Sequence, residues 1–94
     1  MGRVPTQKTI TALISDLSTP QTLYASSGDG VFKSEDAGDT WQAMTTGLSE
    51  TSVTAVALHP TQPSRVYALT ANGVVFRSTD GAATWQRQGQ LPPE

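Results

Sequence analysis

Apolar residues alternate with polar ones in short runs along this chain, and each run ends in a cluster of turn-forming residues. "TALIS" (11–15) and "VTAVAL" (53–58) mix β-branched and apolar residues, then give way to "DLSTPQ" and "HPTQPS". "TLYAS" (22–26) and "RVYALT" (65–70) follow as second strands. Asp29-Gly30 and Asn72-Gly73 then supply residues that tolerate positive φ, a strong hairpin signal. "VFKS" (31–34) and "VVFRS" (74–78) read as third strands, and "TWQAM" (40–44) and "TWQRQ" (84–88) as fourth strands. No heptad or 3.6-residue apolar period occurs, so the pattern predicts an all-β chain without helices.

The eight predicted strands are two copies of a four-strand unit. Trp41 and Trp85 stand 85 − 41 = 44 positions apart, as do Ser34/Ser78, Asp36/Asp80 and Phe32/Phe76. Upstream the offset is 43, for Thr11/Thr54, Pro20/Pro63, Tyr24/Tyr67 and Gly30/Gly73. The change falls where "GVF" becomes "GVVF". One extra valine, Val74 or Val75, is the simplest account, and a β-bulge could absorb it. The expected organisation is an N-terminal tail (1–8), a first unit (9–46), a connector (47–51), a second unit (52–88) and a C-terminal tail (89–94).

The most distinctive repeated stretch is "SEDAGDTW" (34–41), which returns as "STDGAATW" (78–85). Both copies sit between a third and a fourth strand and should form the connecting turn. Asp36 and Asp80 can fold their carboxylates back onto backbone N–H groups, with Ser34 and Ser78 bonding across the turn base. Gly38 accepts positive φ without a Cβ penalty. Trp41 and Trp85 then bring a large ring back to the sheet, each able to bury roughly 200 Å². A structural clasp is the reading favoured over calcium binding, because the alternating D-x-D-x-D-G spacing is absent and the second copy supplies one carboxylate only.

S-x-D-x-G-x-T-W resembles the Asp-box, or BNR repeat, of sialidase-like, sortilin-like and xyloglucanase-type β-propellers. The stretch "VTAVALHPTQPSRVYALTANGVVFRSTDGAATW" is similar to a whole blade unit of bacterial Asp-box propellers, including the photosystem II assembly factor type. The resemblance runs from about Thr9 to Gln88. It implies two four-stranded antiparallel blades with the box in the turn between third and fourth strands, on the periphery. Ser34, Asp36, Gly38, Thr40 and Trp41 match the pattern fully. Ser78, Asp80, Thr84 and Trp85 match in the second copy, where Ala82 replaces the glycine and Gly81 stands one place earlier. A left-handed Ala82 costs about 1 kcal/mol.

Charge and chemistry narrow the function. The net charge is −2, and the six basic residues are scattered, so no stripe is available to neutralise phosphates and nucleic acid is not an expected partner. The chain has no cysteine, which excludes disulfides and thiolate metal sites. "MGRVPTQKTI" lacks a signal peptide's apolar core, no run reaches membrane-spanning length, and the compartment stays open. His59 has no acidic or cysteine neighbour in sequence and reads as a turn residue. Tyr24 and Tyr67 recur at equivalent positions, as packing residues do.

The sialidase-type site that the resemblance implies takes an arginine cluster and a tyrosine nucleophile from different blades. Arg65, Arg77 and Arg87 all come from one unit. Asp16, Asp29, Glu35, Asp39 and Glu50 show no repeated pairing across a cleft. No enzyme activity, cofactor or metal is therefore expected within one chain.

Two blades leave two outer faces in water, whereas propellers typically close with four to eight blades. Head-to-tail association of identical chains is expected, with three or four chains giving six or eight blades. A scaffold or binding module, with a glycan or protein met at the central channel, is the favoured function. A carbohydrate-active fragment and a protein-complex assembly factor are the alternatives. A fragment of a longer propeller, or a designed or reconstructed two-blade piece, is the competing account of the chain itself, although its imperfect repeats favour natural descent.

Overall fold

The computed structural model describes residues 8–16, 18–59, 61–62 and 64–90. Most of the expected tail 1–8, and residues 91–94 of the expected C-terminal tail, lie outside the described residues. Eight strands form: β1 (Ile10–Asp16), β2 (Thr19–Ser27), β3 (Gly30–Ser34), β4 (Gln42–Ala43), β5 (Val53–Leu58), β6 (Val66–Thr70), β7 (Val74–Ser78) and β8 (Gln86–Gln90). They make two four-stranded sheets, ordered β1-β2-β3-β4 and β5-β6-β7-β8, each an antiparallel meander. No described residue is helical. β8 continues to Gln90, past the boundary placed at 88.

One face of each sheet makes the core. Ala12, Ile14, Tyr24 and Val31 of the first sheet pack on Val53, Val56, Val66, Ala68, Val74 and Phe76 of the second. The alternation of buried and half-buried residues along β6 and β7 is the period-2 signature of a strand with one closely packed face. Irregularities fall at equivalent places in β1 and β5. The extra residue Thr11 falls between the pairs Ile10↔Ser27 and Ala12↔Ser26, and Thr54 falls between Val53↔Thr70 and Ala55↔Leu69. The bulge puts Val53 and Val56 on one side. Thr11 also ties the sheets together, since its hydroxyl donates to the Val53 carbonyl at 2.8 Å and contacts the Ser26 hydroxyl at 2.7 Å.

Two expectations need correcting. The extra valine is not absorbed by a bulge in β7. Leu69↔Val75 matches Ser26↔Val31, so Val75 corresponds to Val31, and the hairpin loop between β6 and β7 is the longer one. There the Thr70 carbonyl accepts the Gly73 N–H at 3.0 Å, and the Thr70 hydroxyl accepts the buried Val74 N–H at 3.1 Å. The longer turn thus leaves the buried Val74 N–H paired.

The second correction concerns "TWQAM", of which only Gln42–Ala43 form a strand. After Met44 donates its N–H to Val31 at 2.7 Å, the chain turns toward the second sheet. The Thr46 carbonyl accepts the Trp85 N–H at 2.8 Å, and the Met44 carbonyl accepts the Trp85 indole N–H at 2.8 Å. Those carbonyls are engaged across the blade boundary, so β4 ends.

Candidate functional site

The two repeated octapeptides form matching turns. In the first, the Ser34 hydroxyl donates to Asp36 Oδ1 at 2.8 Å and accepts the Gly38 N–H at 2.8 Å. Asp36 Oδ1 also accepts the Thr40 N–H at 2.8 Å, and Oδ2 accepts the Thr40 hydroxyl at 2.5 Å. In the second, Ser78 donates to Asp80 at 2.7 Å and accepts the Ala82 N–H at 2.8 Å. Thr84 donates its N–H and hydroxyl to Asp80 at 2.9 and 2.6 Å. Ser34 and Ser78 are buried while both aspartates are exposed, so each turn is closed from below by a hydroxyl and from above by a carboxylate.

Each turn bends through two consecutive left-handed residues, Ala37 (φ 62°) and Gly38 (95°) in one, Gly81 (71°) and Ala82 (76°) in the other. Ala82 thus takes the conformation of the glycine it replaces, with its methyl fully buried in the core.

The hydrogen bonds to Thr40, side chain first and then backbone, hold the Asp36 carboxyl down at about 2. The Thr84 and Ser78 hydroxyls do the same for Asp80, also at about 2. Asp16, bonded by the Ser18 hydroxyl, is lowered as well. The folded chain therefore binds these protons less tightly than the unfolded chain, and acid favours unfolding. The contribution of both turns is complete above about pH 4, fades as pH falls toward about 2 and is absent below that. A thermal-melting series over that window should show the melting temperature falling with pH. In the double variant Asp36→Asn/Asp80→Asn the slope should be much flatter.

The two tryptophans differ in surroundings. Trp85 is buried, with its indole reaching the first blade at Met44. Trp41 is half-buried and donates to its own turn, at the Gly38 carbonyl, 3.1 Å away. The equal burial expected of both rings holds for Trp85 only, because Trp85 packs on the first blade while no described blade stands beside Trp41.

Tyr24, expected as a packing residue, and Lys33, whose role the sequence pattern did not announce, join the blades at the second turn. Lys33 Nζ donates to the Gly81 carbonyl at 3.2 Å, lies 5.5 Å from the centre of the Tyr24 ring, and shares that carbonyl with the Tyr24 hydroxyl at 3.4 Å. Burial, with smaller effects from Asp16 and Glu35, pushes the Tyr24 hydroxyl up to about 12, which keeps it a neutral donor. The 44-residue spacing of Lys33 and Arg77, both basic, was the available signal.

The remaining candidates stay apart. His59 Nδ1 accepts the N–H groups of Thr61 and Gln62, both at 3.2 Å, and caps the turn after β5. Glu50 accepts from Asn72 at 2.9 Å. No group of three His, Cys, Asp or Glu side chains suited to a metal forms among the described residues. No helix among them is long and apolar enough to cross a membrane.

Comparison with known proteins places these blades. The chain is similar to an ancestral GH74 enzyme in its crystal structure, at 28% identity and TM-score 0.76, over 85% of this chain and 10% of the enzyme. It is also similar in fold to YCF48 from Cyanidioschyzon merolae, at 20% identity and TM-score 0.72, over 96% of this chain and 26% of that one. The chain thus spans a small part of either relative. No curated protein sequence matches it. The family model described as sortilin, neurotensin receptor 3 matches residues 29–93, well over half the chain, and takes in both Asp-box turns. Two four-stranded sheets, a repeated Asp-box and this match together show that the chain belongs to the Sortilin-Vps10 family of Asp-box β-propellers.

Proposed function

We propose that this chain is a non-enzymatic propeller building block, whose two blades join those of further copies head to tail to make a scaffold or binding module. The Asp-box turns act in it as structural clasps, and a glycan or protein ligand is met by the loops around the central channel.

One observation carries this reading. The side chains that make the blade–blade contact inside the chain have counterparts on the two outer faces, and these are left partly in water. Val53 and Val56 are 1% and 6% exposed at the inner contact, while their counterparts Ile10 and Leu13 are 39% and 62% exposed. On the opposite outer face, Ala55, Ala57, Tyr67, Leu69 and Val75 line an apolar groove of about 110 Å³. Those positions correspond to Ala12, Ile14, Tyr24, Ser26 and Val31, four of which belong to the inner core or pack against it. On the face of Ile10 and Leu13, Ala25 and Phe32 are already buried within the chain, so the association there rests on the exposed side chains of β1. Exposed apolar surface on both sides of a repeat favours a heterologous contact that closes a ring.

Native mass spectrometry across a dilution series tests it. The expected result is a closed trimer or tetramer of chains, giving six or eight blades. A monomer persisting at micromolar concentration would overturn the reading. A carbohydrate-active role takes support from the likeness to the GH74 enzyme, and turnover of a fluorogenic glycoside would favour that role over simple binding.

A further inference from the structure

Arg77 stands on the outer face of the second blade, paired across the sheet with Tyr67 on one side and Gln86 on the other. Lys33 holds the same place in the first blade, between Tyr24 and Gln42. Inside the chain a residue at that place joins the blades. Lys33 crosses the boundary and donates to the carbonyl of Gly81, the first left-handed residue of the next Asp-box. Arg77 has the same position, and no described blade stands before it. Its Nε is buried and finds no acceptor among the described residues. A buried guanidinium N–H without a partner is costly, and such a group in a native fold calls for an explanation.

We infer that Arg77 is the donor that docks one copy of this chain onto the next, by hydrogen bonding to the carbonyl of Ala37 in the first Asp-box of the neighbouring copy. The inference rests on the self-association proposed above and names the contact that sets its register. Ala37 matches Gly81 closely. It is left-handed at φ 62° against 71°, and its N–H is held by the Gln21 carbonyl at 2.8 Å as that of Gly81 is by Ser64 at 2.9 Å. The Ala37 carbonyl is therefore presented on the first blade as the Gly81 carbonyl is on the second, and Ala37 is exposed.

The apolar groove around Ala55 and Ala57 lies on the same face as Arg77, and the exposed Leu13 lies on the same blade as Ala37. One placement of a second copy thus fills the groove and brings the Ala37 carbonyl to the guanidinium end of Arg77 together. The occupant is a copy of this chain, since the repeat supplies both halves of a contact that already exists within it. Arginine in place of lysine suits a junction between separate chains. Its planar fork has more donors, and it loses less freedom for each hydrogen bond formed.

Three variants separate this contact from the general stickiness of the faces, with sedimentation velocity over a dilution series as the readout. Arg77→Met keeps the stem and removes the donors. It should weaken each chain–chain contact roughly 10- to 100-fold, while circular dichroism shows a monomer fold at least as stable as before. Arg77→Lys should restore most of the affinity, as Lys33 serves the inner contact. Lys33→Met should lower the melting temperature and leave the contact between chains in place.

Association of Arg77→Met as tight as the parent chain would overturn the role of Arg77 while leaving self-association standing. A parent chain that stays monomeric at all concentrations would overturn both.

Discussion

Trp85→Ala is expected to destabilise the chain by about 3–5 kcal/mol, the range for removing a buried aromatic ring from a packed core. Trp41→Ala is expected to cost about 1–2 kcal/mol in the isolated chain. The contrast arises between two residues at identical places in the repeat. Trp85 is 4% exposed, lies in the core cluster and gives its indole N–H to the Met44 carbonyl of the other blade. Its loss opens a cavity at the blade boundary and leaves that carbonyl without its donor. Trp41 is half-buried and bonds within its own turn. Set against a total stability of about 5–15 kcal/mol for a domain, the Trp85 change removes a large fraction. Urea unfolding curves of both variants would measure it. Equal losses at the two sites would show that the ring is stabilising its own turn rather than the junction between blades.

Gly47→Ala should be nearly as damaging, at about 2–4 kcal/mol. Gly47 has φ +91°, and a Cβ there would drive into the Trp85 carbonyl oxygen, with the Trp85 nitrogen only 3.1 Å away. All three nearest atoms belong to backbone, so no flexible side chain can yield. The change forces apart the strand of chain carrying Met44 and Thr46, whose carbonyls hold Trp85. Gly38→Ala is the matched control: φ is +95°, but its Cβ would meet Leu23 at 3.6 Å, an ordinary contact, and Ala82 already occupies the corresponding place. That substitution should cost about 1 kcal/mol. Thermal melts of the two variants would rank them, and a Gly38→Ala variant less stable than Gly47→Ala would contradict the account.

Much of this architecture was legible in the sequence because it is local. Alternation along "VYALT", the Asn-Gly and Asp-Gly pairs, and the doubled octapeptide all act within a few residues, so strands and hairpins followed from them. The all-β class and the membership of the Asp-box propellers are carried by the same stretches. What was not legible depends on the other blade. The truncation of β4 follows from carbonyls drawn toward Trp85, which lies 41 residues beyond Met44 in the chain. The unequal burial of Trp41 and Trp85 follows from which ring has a neighbour. Lys33 passed as a scattered surface charge, because its acceptor is a backbone carbonyl that no residue type announces. The placement of the extra valine turned on strand pairing, since Leu69↔Val75 settles a correspondence that "GVVF" leaves open.

The left-handed pairs Ala37–Gly38 and Gly81–Ala82 have a consequence for recognising such units. Within one molecule the small flexible residue has moved from the second seat to the first, and the bend has kept its shape. A search string that insists on glycine in one column discards half of this chain. Scoring the two columns jointly, with glycine accepted in either, keeps it.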